Sequence, residues 1–180
     1  MNLPTREECL HMLREHKNPE NIIEHSLMVN KIANYLAKKL NENGEKIDLD
    51  LVDRASLLHD IAKFISIDSD LWHGEKGYEI LMEKGYPEIA LITKEHALSE
   101  ILKKGSLKSR ESRIVYYADK RVNNEIIVSL KERFEYLRNR YGSKSKEIMD
   151  TINKCEKPCI LLEEEIFKKA GVDKRLKELK

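Results

Sequence analysis

The sequence is short of the residues that break or staple a chain. Seven glycines and four prolines in 180 residues leave little material for the closely spaced turns of a sandwich or barrel. No stretch alternates with period two, and no Asn-Gly or Asp-Gly pair marks a hairpin, so a β fold is excluded. Three cysteines, Cys9, Cys155 and Cys159, are too few and odd in number for a disulfide framework. Cys155 and Cys159 flank Pro158 with no further Cys or His nearby to complete a zinc site, and they read as reduced thiols on a helical tail. No apolar run approaches the roughly 20 residues that span a bilayer, so no membrane partner is expected. Met1 to Leu10 lacks a basic-then-apolar signal pattern, and the cytoplasm is the expected location. The net charge is +1, which gives no global field toward nucleic acid, and no nucleic-acid partner is expected.

What the chain has is helical periodicity and charge. Charged residues make up 36% of it against about 25% in a typical globular domain, so most helices should carry a strongly solvated face. Its length suits a single core, or a core with a helical extension, that needs no staples. Thr5 and Glu8 have capping-box spacing for a first helix. Asn18-Pro19 reads as the cap and first position of a second helix, with Ile22, Val29, Ile32, Leu36 and Leu40 on one stripe and a stop at Gly44. A third helix is expected from about Asp48 to Phe64, then an irregular stretch from Ser66 to Gly74. Helices follow over Glu75–Lys84, Pro87–His96 and Arg110–Val122, with a short piece over Ser99–Gly105. Asn123 or Asn124 is expected to cap a long helix ending at Tyr141-Gly142, and two more helical segments should break near Lys157-Pro158 and at Gly171. The expected fold is all-α, a compact bundle of about seven to nine helices with a C-terminal helical extension.

Several polar residues fall where this pattern wants apolar ones. His25 lies on the stripe of the second helix, between Ile22 and Val29. Taken alone, a histidine on such a face is more often a hydrogen-bonded core residue than a ligand. His59 and Asp60 follow Leu57-Leu58 and precede Ile61-Ala62. An aspartate buried there is costly unless it meets a cation, and with no Lys or Arg between the doublet and Lys63 a metal suggests itself. Asp119 closes Ile-Val-Tyr-Tyr-Ala-Asp on another apolar stripe; a salt bridge to Arg113 or Lys120 is its other reading. His73 and His96 complete a group of four histidines and two aspartates within the first two thirds of the chain. Mixed imidazole and carboxylate ligands suit manganese, iron, cobalt, nickel or zinc.

In order and spacing these residues resemble the HD-domain superfamily of metal-dependent phosphohydrolases. Its signature is a histidine, then a His-Asp doublet, then a distant aspartate, each on a separate helix. His25, His59-Asp60 and Asp119 supply it, and the surrounding segments agree: Leu57 to Lys63, His73-Gly74-Glu75-Lys76-Gly77, Glu95-His96, and Tyr117-Ala118-Asp119-Lys120. The likeness covers roughly residues 20 to 141, with Ala62 where many members have glycine. It implies an HD-type domain over residues 1–142 and a helical extension, 143–180, packed on it. It implies that His25, His59, Asp60 and Asp119 hold one divalent ion, and that His73 and His96 with Asp60 hold a second in some branches. The ion would be manganese, iron, cobalt, nickel, zinc or magnesium. The implied activity is hydrolysis of a small-molecule phosphate ester, most plausibly of a nucleotide, by a metal-activated water. Asp60 would orient the water, while Lys63, with Lys120 and Arg121 behind it, would meet the phosphate. Glu24 and Glu95, each beside a site histidine, are weaker candidates for orienting a ligand. The alternative is a catalytically silent, metal-stabilised helical module with a regulatory or protein-binding role. A homo-oligomer is possible in either case, with the tail capping the core or making a dimer contact.

Overall fold

The structure is a computed structural model that describes residues 2–67 and 72–179. It is all-α, with eight α-helices and one minimal hairpin among those residues. Local capping signals set several boundaries. Thr5 and Glu8 form the capping box of α1 (Arg6–Glu15), and Asp48 caps α3 (Leu49–Leu58). Ser109 caps α6 (Arg110–Asp119). Each side chain takes up an N–H that the first helical turn leaves without a partner.

The long α2 (Glu20–Glu42) is the axis of the bundle. It packs against α3, α6 and the C-terminal α8 (Lys146–Ala170), and its Val29, Ile32, Ala33 and Leu36 are fully buried. α4 (His73–Glu83) lies along α5 (Pro87–Lys94). A Cβ on Gly77 would come within 2.7 Å of Thr93 Cγ2 and 3.3 Å of Ile61 Cγ2, so the missing side chain is what lets α4 approach both. A 3-10 turn (Leu98–Leu102) follows α5. α7 (Leu130–Arg140) packs on α8.

Five sequence expectations differ from the structure. α3 stops at Leu58, six residues before Phe64. Residues 59–67 continue in tight turns with i+3 bonds such as Ile61 N–H to Leu58 O. Asn18 accounts for part of this. It makes no cap on α2. Instead its amide donates to Ile61 O at 2.7 Å and its carbonyl accepts from Phe64 N–H, tying that turn to the end of α1. Of the irregular stretch expected over Ser66 to Gly74, residues 68–71 lie outside those described, while His73 and Gly74 are already helical.

Asn123 and Asn124 do not cap a helix; they belong to a hairpin in which Val122 pairs with Ile127 and Asn123 with Ile126. Asn124 takes the left-handed conformation, φ 52°, which asparagine tolerates better than most residues. The cap of α7 is Ser129, in a capping box with Glu132. Finally, α8 runs unbroken through Pro158 to a left-handed C-cap at Gly171. Buried Ile152, Cys155, Cys159, Leu162 and Ile166 hold it on both sides of the proline, so the one hydrogen bond a proline removes does not end it. All three cysteines are free and buried. Among the described residues no helix is long and apolar enough to cross a membrane.

Candidate metal centre

The helix ends converge on Asp60. Its side chain is almost fully buried and each of its oxygens faces a different pair of histidines. Oδ2 lies 3.4 Å from His59 Nε2 and 3.7 Å from His25 Nε2. Oδ1 lies 3.2 Å from His73 Nε2 and 3.4 Å from His96 Nε2. Asp119, at the end of α6, closes the first side: its Oδ1 is 3.1 Å from His25 Nε2 and 3.8 Å from His59 Nε2. The structure thus brings together all six histidines and aspartates singled out in the sequence.

The orientation of the rings decides what they can bind. His25 Nδ1 lies 2.7 Å from the carbonyl of Asn124, His59 Nδ1 lies 2.8 Å from that of Ser56, and His96 Nδ1 contacts that of Thr93. A carbonyl only accepts, so each Nδ1 carries the proton and each Nε2 keeps a lone pair aimed inward. Burial pushes His59 down to about 3 and also lowers His96, which keeps these imidazoles neutral. Burial, the largest influence on Asp60, would raise it, but the Lys63 ammonium at 2.6 Å and the surrounding His59, His73 and His96 together hold the carboxyl well below the usual range. Asp119 is held down against the same burial effect, chiefly by Lys120.

His25, His59 and His96 therefore turn acceptor nitrogens toward the two carboxylates. His73 Nε2 is within hydrogen-bond distance of His96 Nε2, at 3.0 Å, while the buried acceptors His59 Nε2 and Asp60 Oδ1 have no hydrogen-bond partner among the described residues. Such acceptors repel one another unless a cation sits between them. Two trios have the compactness for one: His25, His59 and Asp60, and Asp60, His73 and His96, the donor atoms of each lying within 4.8 Å of one another. The residues fit one or two divalent ions, and mixed imidazole–carboxylate ligation suits a first-row metal.

Three cations were expected to meet phosphate, and the structure treats them differently. Lys63 pairs with Asp60 across i,i+3 while its side chain stays 40% exposed, so its ammonium borders both the cluster and solvent. Lys120 is buried; it pairs with Asp119, donates to His96 O at 2.8 Å and lies over the Tyr116 ring. Of the two partners expected for Asp119, this is the one present, since Arg113 pairs with Glu165. Arg121 points elsewhere: it donates to Val128 O, the Tyr117 hydroxyl and Lys174 O, and pairs with Glu163. Glu95 is buried but accepts from the Ser112 hydroxyl.

The sequence reading missed two contributors. Arg133, on α7, brings Nη2 to 4.0 Å from Asp119 Oδ1 and donates through Nη1 to Asn123. Its buried Nε has no hydrogen-bond partner among the described residues. Trp72 packs its ring 4.6 Å from His73 and 4.9 Å from His96. Arg133 sits on a charged helix among other arginines with nothing local to single it out, whereas Trp72, the single tryptophan and next to His73, could have been noticed.

Comparison with known proteins agrees with this geometry. The profile of the HD domain matches residues 22–124. An uncharacterised protein of Methanocaldococcus jannaschii is 32% identical over 150 residues, covering 77% of each chain. Ribonuclease Y 1 of Pediococcus pentosaceus is 36% identical over 73 residues, which is 41% of this chain and 13% of that protein. Ribonuclease Y of Listeria welshimeri is 43% identical over 61 residues, 34% of this chain and 11% of that protein. The likeness to the ribonucleases is thus confined to a short shared segment. No solved structure matches the chain. With the profile covering more than half of the chain and spanning His25, the doublet and Asp119, the protein belongs to the HD-domain superfamily of metal-dependent phosphohydrolases.

Proposed function

We propose that this protein hydrolyses a phosphomonoester or phosphodiester of a nucleotide or related small metabolite, with one ion held by His25, His59, Asp60 and Asp119 and a second by Asp60, His73 and His96. The observation that carries this reading is the division of labour in Asp60, whose two oxygens face separate pairs of imidazoles. A divalent ion held there lowers the pKa of a water and polarises a phosphoryl oxygen. The chain's own residues do the rest. Asp60 and Asp119 stay ionised because Lys63 and Lys120 stand beside them. The Nδ1 contacts fix the direction of the His25, His59 and His96 rings before anything binds. Lys63 and Arg133 offer positive charge at the edge of the cluster, where they would receive the phosphate.

A second reading, cleavage of an RNA phosphodiester, is favoured by the segment shared with the two ribonucleases Y. The net charge of +1 weighs against it. One experiment separates these. Protein reconstituted with each of manganese, iron, cobalt, nickel, zinc and magnesium is assayed against nucleotides, sugar phosphates and short RNA. Turnover of a nucleotide or small ester that disappears in Asp60→Ala is the expected result. Turnover of RNA alone selects the second reading. No turnover of anything overturns both and leaves a silent regulatory module.

A further inference from the structure

We propose that a nucleoside portion of the substrate binds in the cavity between Trp72 and the C-terminal helices, so that residues outside the HD-matched segment select what is hydrolysed. The proposal rests on the hydrolase reading above and names a subsite for it. The cavity has a volume of about 690 Å³ and is walled by Leu98, Leu137, Ile148 and Ile152, with the rings of Trp72 and Tyr141 at its sides.

Its position ties it to the metal centre at two points. The Trp72 indole that forms one wall is the same ring that packs on His73 and His96. A Cβ on Gly74 would fall 1.7 Å from that indole, so the ring lies directly over the Gly74 backbone and can rest there only because this residue is glycine. The other tie is α7. Arg133, beside Asp119, is followed four and eight residues later by Leu137 and Tyr141, both in the cavity wall. At 1.5 Å per residue these lie about 6 and 12 Å along the helix from Arg133. A phosphate held near Lys63 and Arg133 would therefore have its organic part within one or two helical turns of the cavity.

The lining chooses among occupants. Two aromatic faces suit a flat ring, and stacking on them tolerates any base. An alkyl chain would want an unbroken apolar lining, yet here charged groups stand around the rings. Lys103, Lys144, Glu75, Glu100 and Glu147 all border the cavity. Glu75 and Glu100 are paired with Lys94 and Lys103. Among the described residues Glu147 and Lys144 have no ion pair, and Lys144 Nζ lies over the Tyr141 ring at 5.2 Å. An unpaired carboxylate and an unpaired ammonium beside the two aromatic side chains match the donors and acceptors on the edge of a nucleobase. Glu147, Ile148 and Ile152 all belong to α8, so the tail beyond residue 142 would be a specificity element.

Trp72 is the single tryptophan of the chain, and its fluorescence reports on the cavity without any need for turnover. The metal-free full-length protein is titrated with adenosine, guanosine and cytidine, with ribose 5-phosphate as the control. The expected result is saturable quenching by nucleosides and none by ribose 5-phosphate. Tyr141→Ala and Ile148→Asp, both at partly exposed positions, should weaken it by about tenfold. In the metal-loaded protein the same variants should lower the ratio of kcat/KM for a nucleotide over ribose 5-phosphate by about tenfold. Should Ile148→Asp fail to fold, Glu147→Lys and Tyr141→Ala carry the test. Absence of any nucleoside response in a protein that does hydrolyse phosphate esters overturns this subsite and spares the hydrolase reading. So does quenching that every variant retains in full. Nucleoside binding that the variants weaken, in a protein with no turnover, supports the cavity and overturns the hydrolase reading.

Discussion

Around Asp60 Oδ2 the chain gathers His25, His59 and a second carboxylate, Asp119; around Oδ1 it gathers His73 and His96 and, among the described residues, no second carboxylate. The first half is also drier. His59 is fully buried and His25 nearly so, whereas the His73 side chain is 24% exposed. Behind His59 stands a further layer: the Ser56 carbonyl that fixes its Nδ1 belongs to a residue whose hydroxyl is held by Asn30 and Asp53. Among the described residues no layer of that depth stands behind His73. Two carboxylates in a dry, braced site attract a divalent cation more strongly than one carboxylate oxygen in a wetter one. The two halves should thus differ in affinity, with the first holding its ion through conditions that strip the second.

Removing the shared residue should abolish the distinction altogether, and this is the largest effect expected. Asp60→Ala takes a ligand from both halves. Both ions should be lost, and phosphate release should fall by about three orders of magnitude, near 4 kcal/mol at 1.36 kcal/mol per decade. Elemental analysis and phosphate release read this, with circular dichroism showing that the helices remain. Turnover unchanged in the variant would place the chemistry elsewhere.

Single-histidine changes break the comparison more selectively. His73→Ala should reduce the metal content from about two ions to about one and leave residual turnover, whereas His25→Ala should cost the first ion and with it nearly all activity. If His73→Ala empties both halves, the sites are not separable and the affinity argument fails. Chelator titration of the wild type, followed by metal analysis, gives an independent check through two-step release.

How much of this was legible beforehand follows from where each signal resides. Thr5, Asp48 and Gly171 act within one turn of a helix, and their roles could be read locally. His25, His59, Asp60 and Asp119 stood out because polar groups on apolar stripes demand a partner. What could not be read is the identity of distant partners. Asn18, followed by proline, looks like a cap, but its amide is taken by Ile61, 43 residues away. The Asn124 carbonyl that orients His25 lies 99 residues from it and sits in a hairpin too short to leave a periodic signature. Arg133 and Arg121 look alike in sequence, yet one reaches Asp119 and the other Glu163. Pro158 shows the converse: a strong local breaker overruled by burial on either side of it.

Lys63 offers a smaller and cleaner contrast with the ligands. It pairs with Asp60 but supplies no lone pair to a metal, because burial, which would lower it, is outweighed by Asp60 and Asp119 together and the ammonium stays charged. Lys63→Ala should therefore leave both ions bound and reduce kcat/KM by about tenfold to a hundredfold through lost attraction for the phosphate. Loss of metal in this variant would mean that Lys63 shapes the site itself.

The smallest effect expected at the centre comes from the layer behind its first half, and pH exposes it. Asp53 is buried among Asn30, Asn34, Arg6 and Arg54. Burial would raise its carboxyl, but the amide hydrogen bonds and Arg6 together hold it below the ordinary value of 3.8. A carboxyl depressed in the folded state stabilises it above its unfolded pKa, and that contribution is lost as pH falls through the folded value. Asp53→Asn should then cost about 1–3 kcal/mol at neutral pH, the 44% exposure of the Arg6 side chain moderating the loss. The difference between wild type and variant should stay level from pH 7 to about 5 and shrink below about pH 4. Urea unfolding of metal-free protein at several pH values measures it, and a difference that widens in acid would overturn the assignment. Because Asn30 joins Asp53 to Ser56 and so to His59, the variant should also weaken the first ion a few-fold and leave the second unchanged. That asymmetry tests, at the lowest amplitude, whether the brace behind His59 is what sets the two halves apart.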